Sequence, residues 1–80
     1  MTEADVLAAL RLIARDHLGY TGTMEAETPL VEALRLDSLR LLTLVAEVEN
    51  HFQIMLDPED EQGLATAADL VALVQRRATA

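Results

Sequence analysis

Ser38 follows Asp37 in the segment LRLDSLRLLTL, where a polar stretch gives way to a run of leucines. A hydroxyl there can serve two purposes. It can cap the helix that starts beside it, since serine and aspartate oxygens accept the free N–H groups of an opening turn. It can also be held at the surface, where the positive end of the helix dipole favours a phosphate. Both fit, because Asp37 can cap while Ser38 bears a group. The other reactive residues offer less. There is no cysteine, hence no thiol nucleophile, thiolate metal site or disulfide framework. His17 and His51 fall at helix ends, where an imidazolium meets the negative dipole end, so capping or packing accounts for both. The acidic run Asp57, Glu59, Asp60 and Glu61 invites a calcium loop. An EF-hand starting at Asp57 needs glycine at its sixth position and glutamate at its twelfth. Those places hold Gln62 and Ala68, so the loop fails, and no metal site is expected. A Ser-His-Asp hydrolase on Ser38 lacks the nucleophile-elbow glycines. No catalytic residue is expected.

The elements that must position Ser38 read as helices. The first runs from about Thr2 to Leu18, opened by a Thr2/Asp5 capping box and closed by Gly19. Val6, Leu7, Leu10, Ile13, Ala14 and Leu18 form its apolar stripe. From Tyr20 to Leu36 the pattern breaks, giving a loop of roughly 17 residues, a length that is often functional. Leu30, Val31 and Leu34 can pin it to the core, with a short turn of helix around Leu30–Leu34. A second helix begins at Asp37 or Ser38 and ends near Phe52. Its apolar residues are too dense for one stripe. Leu41, Leu44, Val45, Val48 and Phe52 suit the core, which leaves Leu39, Leu42 and Ala46 on an exposed flank of the kind that marks docking. Asp57-Pro58 opens a short helix that Gly63 ends. A Thr66/Asp69 capping box opens the last helix, whose closing Arg76 and Arg77 complement the dipole. The expected fold is all-α: three main helices, one short helix and a long first loop.

Composition narrows the function classes. Eighty residues support one domain. Fourteen acids against six arginines, with no lysine, give a formal charge of −8. A duplex-binding module needs a basic face, so nucleic acid is excluded as a partner. No apolar run approaches the ~20 residues that span a bilayer, and the start MTEADVL is not a secretory signal. A cytoplasmic protein without a membrane role is the expectation. A domain this short buries only ~60–65% of its unfolded surface, which leaves little for a walled catalytic cavity. A protein that other proteins handle fits better than an enzyme.

Leu34, Arg35, Leu36, Asp37, Ser38 and Leu39 occupy the places of a motif of leucine, glycine, a variable residue and then Asp-Ser-Leu. In this, and in the surrounding helices across nearly the whole chain, the sequence resembles the acyl carrier protein family. The resemblance implies a four-helix carrier bundle, with residues 1–80 as a single carrier domain. It also implies 4'-phosphopantetheine attached to Ser38 by a phosphopantetheinyl transferase, with Asp37 as the flanking motif residue. The arm's thiol would hold acyl, ketide or aminoacyl groups as thioesters, while the carrier, expected as a monomer, performs no chemistry itself. Acyl-loading and synthase enzymes are the implied partners, meeting the flank of Leu39, Leu42 and Ala46. On that surface Leu39 and Leu42 should govern affinity, and Arg40, Glu47 and Glu49 partner choice and salt dependence.

Two departures stand out. Arg35 replaces the motif's glycine, so the turn into Ser38 should differ, and a cation lies near the phosphate. Arg40 and Thr43 stand two and five residues after the serine, where many fatty-acid carriers have acids. Both point to partners outside housekeeping fatty-acid synthesis, in a polyketide or other specialised pathway. Asp37 favours an acyl over a peptidyl carrier, which stays the nearest alternative. A small acidic helical interaction module without a prosthetic group, in which Ser38 only caps, is the rival from another class.

Overall fold

The computed structural model describes residues 2–78. Five helical segments follow in order among them: α1 Glu3–Leu18, α2 Leu30–Leu34, α3 Ser38–Phe52, α4 Pro58–Gln62 and α5 Ala67–Ala78. The fold is all-α, with α1, α3 and α5 long and the other two short. The one regular departure is an isolated antiparallel bridge between Pro29 and Thr66.

Each long helix starts where its side chains satisfy the opening N–H groups. On α1 the Asp5 N–H donates to Thr2 Oγ1 at 3.1 Å, and the Thr2 N–H donates to Asp5 Oδ2 at 3.3 Å. On α3 the Asp37 carboxylate accepts from the Arg40 N–H at 2.8 Å. Before α5 the Thr66 N–H donates to Asp69 Oδ2 at 2.9 Å. Such caps are worth roughly 1 kcal/mol each. Gly19 ends α1 at φ 66°, in the left-handed region that glycine enters without penalty.

The core is aliphatic, as the composition required. Val6, Leu10, Ile13, Ala14 and Leu18 of α1 meet Leu44, Val45 and Val48 of α3, and Leu70, Val71, Leu73 and Val74 of α5. Burying each larger aliphatic contributes about 1.5–3 kcal/mol before entropy is counted. Leu41 and Phe52, assigned to the core side of α3, are half-buried against this cluster.

The stretch between α1 and α3 follows the expectation of a loop pinned by a short helix. The turn of helix at Leu30–Leu34 is formed, which leaves residues 19–29 and 35–37 irregular. Buried Met24 anchors this stretch, and its carbonyl accepts from Arg11 Nε at 2.9 Å. Beyond it the chain is stitched to the start of α5. Leu30 N–H donates to Ala65 O at 3.0 Å, Ala67 N–H to Thr28 O at 2.9 Å, and Ala68 N–H to Ala26 O at 2.8 Å. Arg77 does more than face the end of its own helix. Its Nη2 reaches Asp60 at 2.6 Å and Asp57 at 3.1 Å, tying α5 to α4.

Candidate functional site

Ser38 is the first residue of α3 and is exposed. Asp37 supplies the cap, so the serine oxygen is not needed for it, and the Ser38 side chain makes no hydrogen bond among the described residues. Of the two roles the sequence allowed, the geometry separates them by residue: Asp37 caps, and Ser38 presents an unengaged hydroxyl to solvent. The adjoining backbone is the positive end of a four-turn helix, an environment suited to a phosphate.

The turn into this position keeps a glycine-type backbone in spite of Arg35. That residue ends α2 at φ 53° and ψ 51°, and its N–H donates to Val31 O. Arginine thus occupies the left-handed conformation that glycine enters most readily. The conformation costs a non-glycine residue about 1–2 kcal/mol.

Arg40 is turned inward. Its Nε donates to Leu34 O at 2.9 Å and its Nη2 to Leu18 O at 2.7 Å, so one guanidinium closes the carbonyl ends of α1 and α2. Helix C-termini leave such carbonyls without partners, and a cation complements their negative dipole ends. Nothing in sequence spacing pointed to this bracing, because its acceptors lie six and twenty-two residues away.

A cleft of about 660 Å³ opens beside Asp37. Tyr20, Thr21 and Gly22 line it from the loop, and Arg35, Asp37 and Arg40 from the α2–α3 turn. Tyr20 holds the loop in place by donating its hydroxyl to Thr23 O at 3.2 Å. Gly22 lies against that side chain: a Cβ there would fall 2.7 Å from the hydroxyl oxygen, so a larger residue would displace the end of the Tyr20 ring.

Along α3, Leu39 and Leu42 are 72% and 64% exposed, and Ala46 is exposed too. They form the apolar flank expected from the surplus of leucines. Met55, just past the helix, is 80% exposed and shares a shallow pocket of about 420 Å³ with Ala46, Glu49, Asn50, Gln53 and Ile54. The sequence reading missed Met55, since hydropathy does not tell a buried methionine from an exposed one in a loop. The two acids assigned to this surface have internal partners. Glu47 faces His17 Nε2 at 3.3 Å across the α1–α3 contact, and Glu49 accepts the Leu56 N–H at 2.8 Å.

The acidic run organises α4. Asp60 accepts the Asp57 N–H at 2.9 Å, and this bond, followed by Arg77, holds its carboxyl below the usual range. Asp69 is lowered by the backbone N–H groups of Thr66 and Ala65. Among the described residues no three acids or histidines converge as a metal-ligand set. No described helix is long and apolar enough to cross a membrane.

Comparison with known proteins places these features in a family. The family model described as "Phosphopantetheine attachment site" matches residues 7–74. An acyl carrier protein of Exiguobacterium is 30% identical over 78 residues, covering 96% of this chain and 99% of its own. A meromycolate extension acyl carrier protein of Mycolicibacterium smegmatis is 28% identical, over 94% of this chain and 77% of its own. Among solved structures, a Mycobacterium tuberculosis protein assigned as an acyl carrier protein superposes with a TM-score of 0.80. Its identity is 28%, over 89% of this chain and 96% of that one.

Proposed function

We propose, from the premise that the chain belongs to the acyl carrier protein family, that its 4'-phosphopantetheine is carried on Ser38. The observation behind this choice of residue is the exposed hydroxyl at the first position of α3, left unengaged because Asp37 caps the helix. In the loading step the Ser38 oxygen forms a bond to the pantetheine-side phosphorus of coenzyme A as the pyrophosphate P–O bond breaks, and adenosine 3',5'-bisphosphate leaves with that bond's electron pair. The hydroxyl proton leaves to a base on the transferase. When bound, the arm supplies a thiol that holds acyl groups as thioesters. The chain's own residues present and brace that arm: Asp37 caps α3, and Arg40 fixes the start of α3 against α1 and α2. These eighty residues contain no lysine, so no lysine amine is at hand to intercept a thioester by aminolysis.

Transferase and synthase enzymes are the partners of this family. For this chain, Leu39, Leu42, Ala46 and Met55 supply the apolar part of the docking surface. Charge on that surface is sparse, because Glu47 and Glu49 are engaged within the fold, Arg40 is turned inward onto the Leu18 and Leu34 carbonyls, and position 43 holds an uncharged threonine. This supports a dedicated pathway handling acyl or ketide intermediates. The meromycolate extension carrier among the relatives points the same way.

The test is intact mass after incubation with coenzyme A, magnesium and a promiscuous phosphopantetheinyl transferase. Wild type should gain one phosphopantetheinyl group and Ser38→Ala none. A gain in Ser38→Ala would move the arm elsewhere, and no gain in either would leave Ser38 as surface serine only. An aminoacyl group on the purified protein would replace the acyl pathway by a peptidyl one.

A further inference from the structure

We infer that the cleft beside Asp37 seats the phosphodiester and polar amide portion of the arm, with Arg35 as the cation that holds the phosphate. This rests on the reading that the arm is attached to Ser38. Arg35 is the residue that points to it. Arg11 pairs with Glu25, Arg15 with Asp16, and Arg77 with Asp57 and Asp60. Arg40 is spent on the carbonyls of Leu18 and Leu34, and Arg76 also has a partner. Among the described residues Arg35 is the one arginine whose guanidinium makes no hydrogen bond or ion pair, in a chain with a formal charge of −8. Asp37 lines the same cleft but is occupied by the Arg40 N–H.

Position and chemistry agree. Arg35 lies three residues before Ser38, and a guanidinium is the side chain best matched to phosphate oxygens. The cleft's volume falls within the ~300–1,000 Å³ of small-molecule sites. Its hydroxyls, charges and loop backbone, contributed by Thr21, Gly22 and Arg35, suit a chain built of amides rather than a hydrocarbon. The second pocket, by Ala46 and Met55, lies toward the other end of α3, about 12 Å or more along the axis from Ser38 at ~1.5 Å per residue. It cannot receive the phosphate.

The experiment uses ¹⁵N-labelled protein converted to the arm-bearing form, with intact mass read first. No mass gain would count against attachment at Ser38, separately from the cleft. With loading verified, the Thr21 and Gly22 amides and the Arg35 Nε–H should shift relative to the arm-free protein. Exchange of that Nε–H should slow about two- to fivefold, as for an exposed ion pair. Arg35→Gln should gain the same mass yet lose the loop shifts while keeping those at Leu39. Arg35→Gly, relaxed in the left-handed backbone, should do the same and guards against misfolding of the first variant. Shifts confined to Ser38–Leu42 in the loaded wild type would overturn the inference. So would loop shifts that persist in both variants, or that arise only once an acyl group is added.

Discussion

The Arg40 guanidinium donates to the Leu18 carbonyl at 2.7 Å, which ties the first turn of α3 to the last turn of α1. Because the same side chain also serves Leu34 O, its removal strands two helix-terminal acceptors at once. Arg40→Ala should cost about 1.5–3 kcal/mol, the range for hydrogen bonds with a charged partner. Arg40→Lys should recover only part, since one ammonium cannot reproduce the fork. Urea unfolding of the three proteins measures this, and an unchanged midpoint in Arg40→Ala would refute the bracing.

Two non-glycine residues sit in left-handed conformations, Arg35 at φ 53° and Gln53 at φ 56°. Both end helices. Arg35→Gly and Gln53→Gly should each raise stability by about 0.5–1 kcal/mol, the left-handed penalty less the extra freedom glycine gains on unfolding. Thermal melts that fall for both substitutions would show that side-chain contacts outweigh the backbone strain.

On α3, Leu42 and Leu44 should respond in opposite ways. Leu42 is 64% exposed and Leu44 is 2% exposed. Leu42→Asp should alter stability by no more than ~0.5 kcal/mol. It should reduce acyl loading by a partner enzyme about 5- to 30-fold, the effect of losing 1–2 kcal/mol at an interface. Leu44→Ala should cost about 2–5 kcal/mol of stability. Loss of helical circular dichroism in step with loading in Leu42→Asp would assign Leu42 to the core.

Acid should weaken the fold through Asp5, Asp60 and Asp69, whose carboxyls are all held below the ordinary range. A depressed carboxyl binds its proton less readily folded than unfolded. Its contribution is complete above the unfolded value of ~3.9 and drains away as pH falls through the folded value. Melting temperature should therefore hold between about pH 7 and 5 and drop below about 4. Asp60→Asn should make that drop shallower. Arg77→Gln should do so only in part, because the Asp57 N–H is the larger cause of the shift. An identical acid profile in Asp60→Asn would remove Asp60 from the account.

Much of this was legible in the sequence because the signals are local. Capping pairs at Thr2/Asp5 and Thr66/Asp69 act over three residues, and the crowding of leucines on α3 forces a second flank at Leu39 and Leu42. What escaped is non-local or conformational. Arg40 braces acceptors distant in sequence, Glu47 and Glu49 are tied to His17 and Leu56, and Met55 is exposed by the path of a loop. Arg35 shows a different limit. A sequence motif records that glycine is missing, whereas only the backbone shows that arginine takes up glycine's conformation.

The strip of hydrogen bonds joining Ala26–Leu30 to Ala65–Ala68 couples the irregular segment to the terminal helix. Neither can detach alone without orphaning amides on the other, so the two should open as one cooperative unit. Any excursion that swings Met24 out of its niche would then loosen α5 as well. Breathing of this carrier would widen the whole end of the bundle rather than lift a single flap.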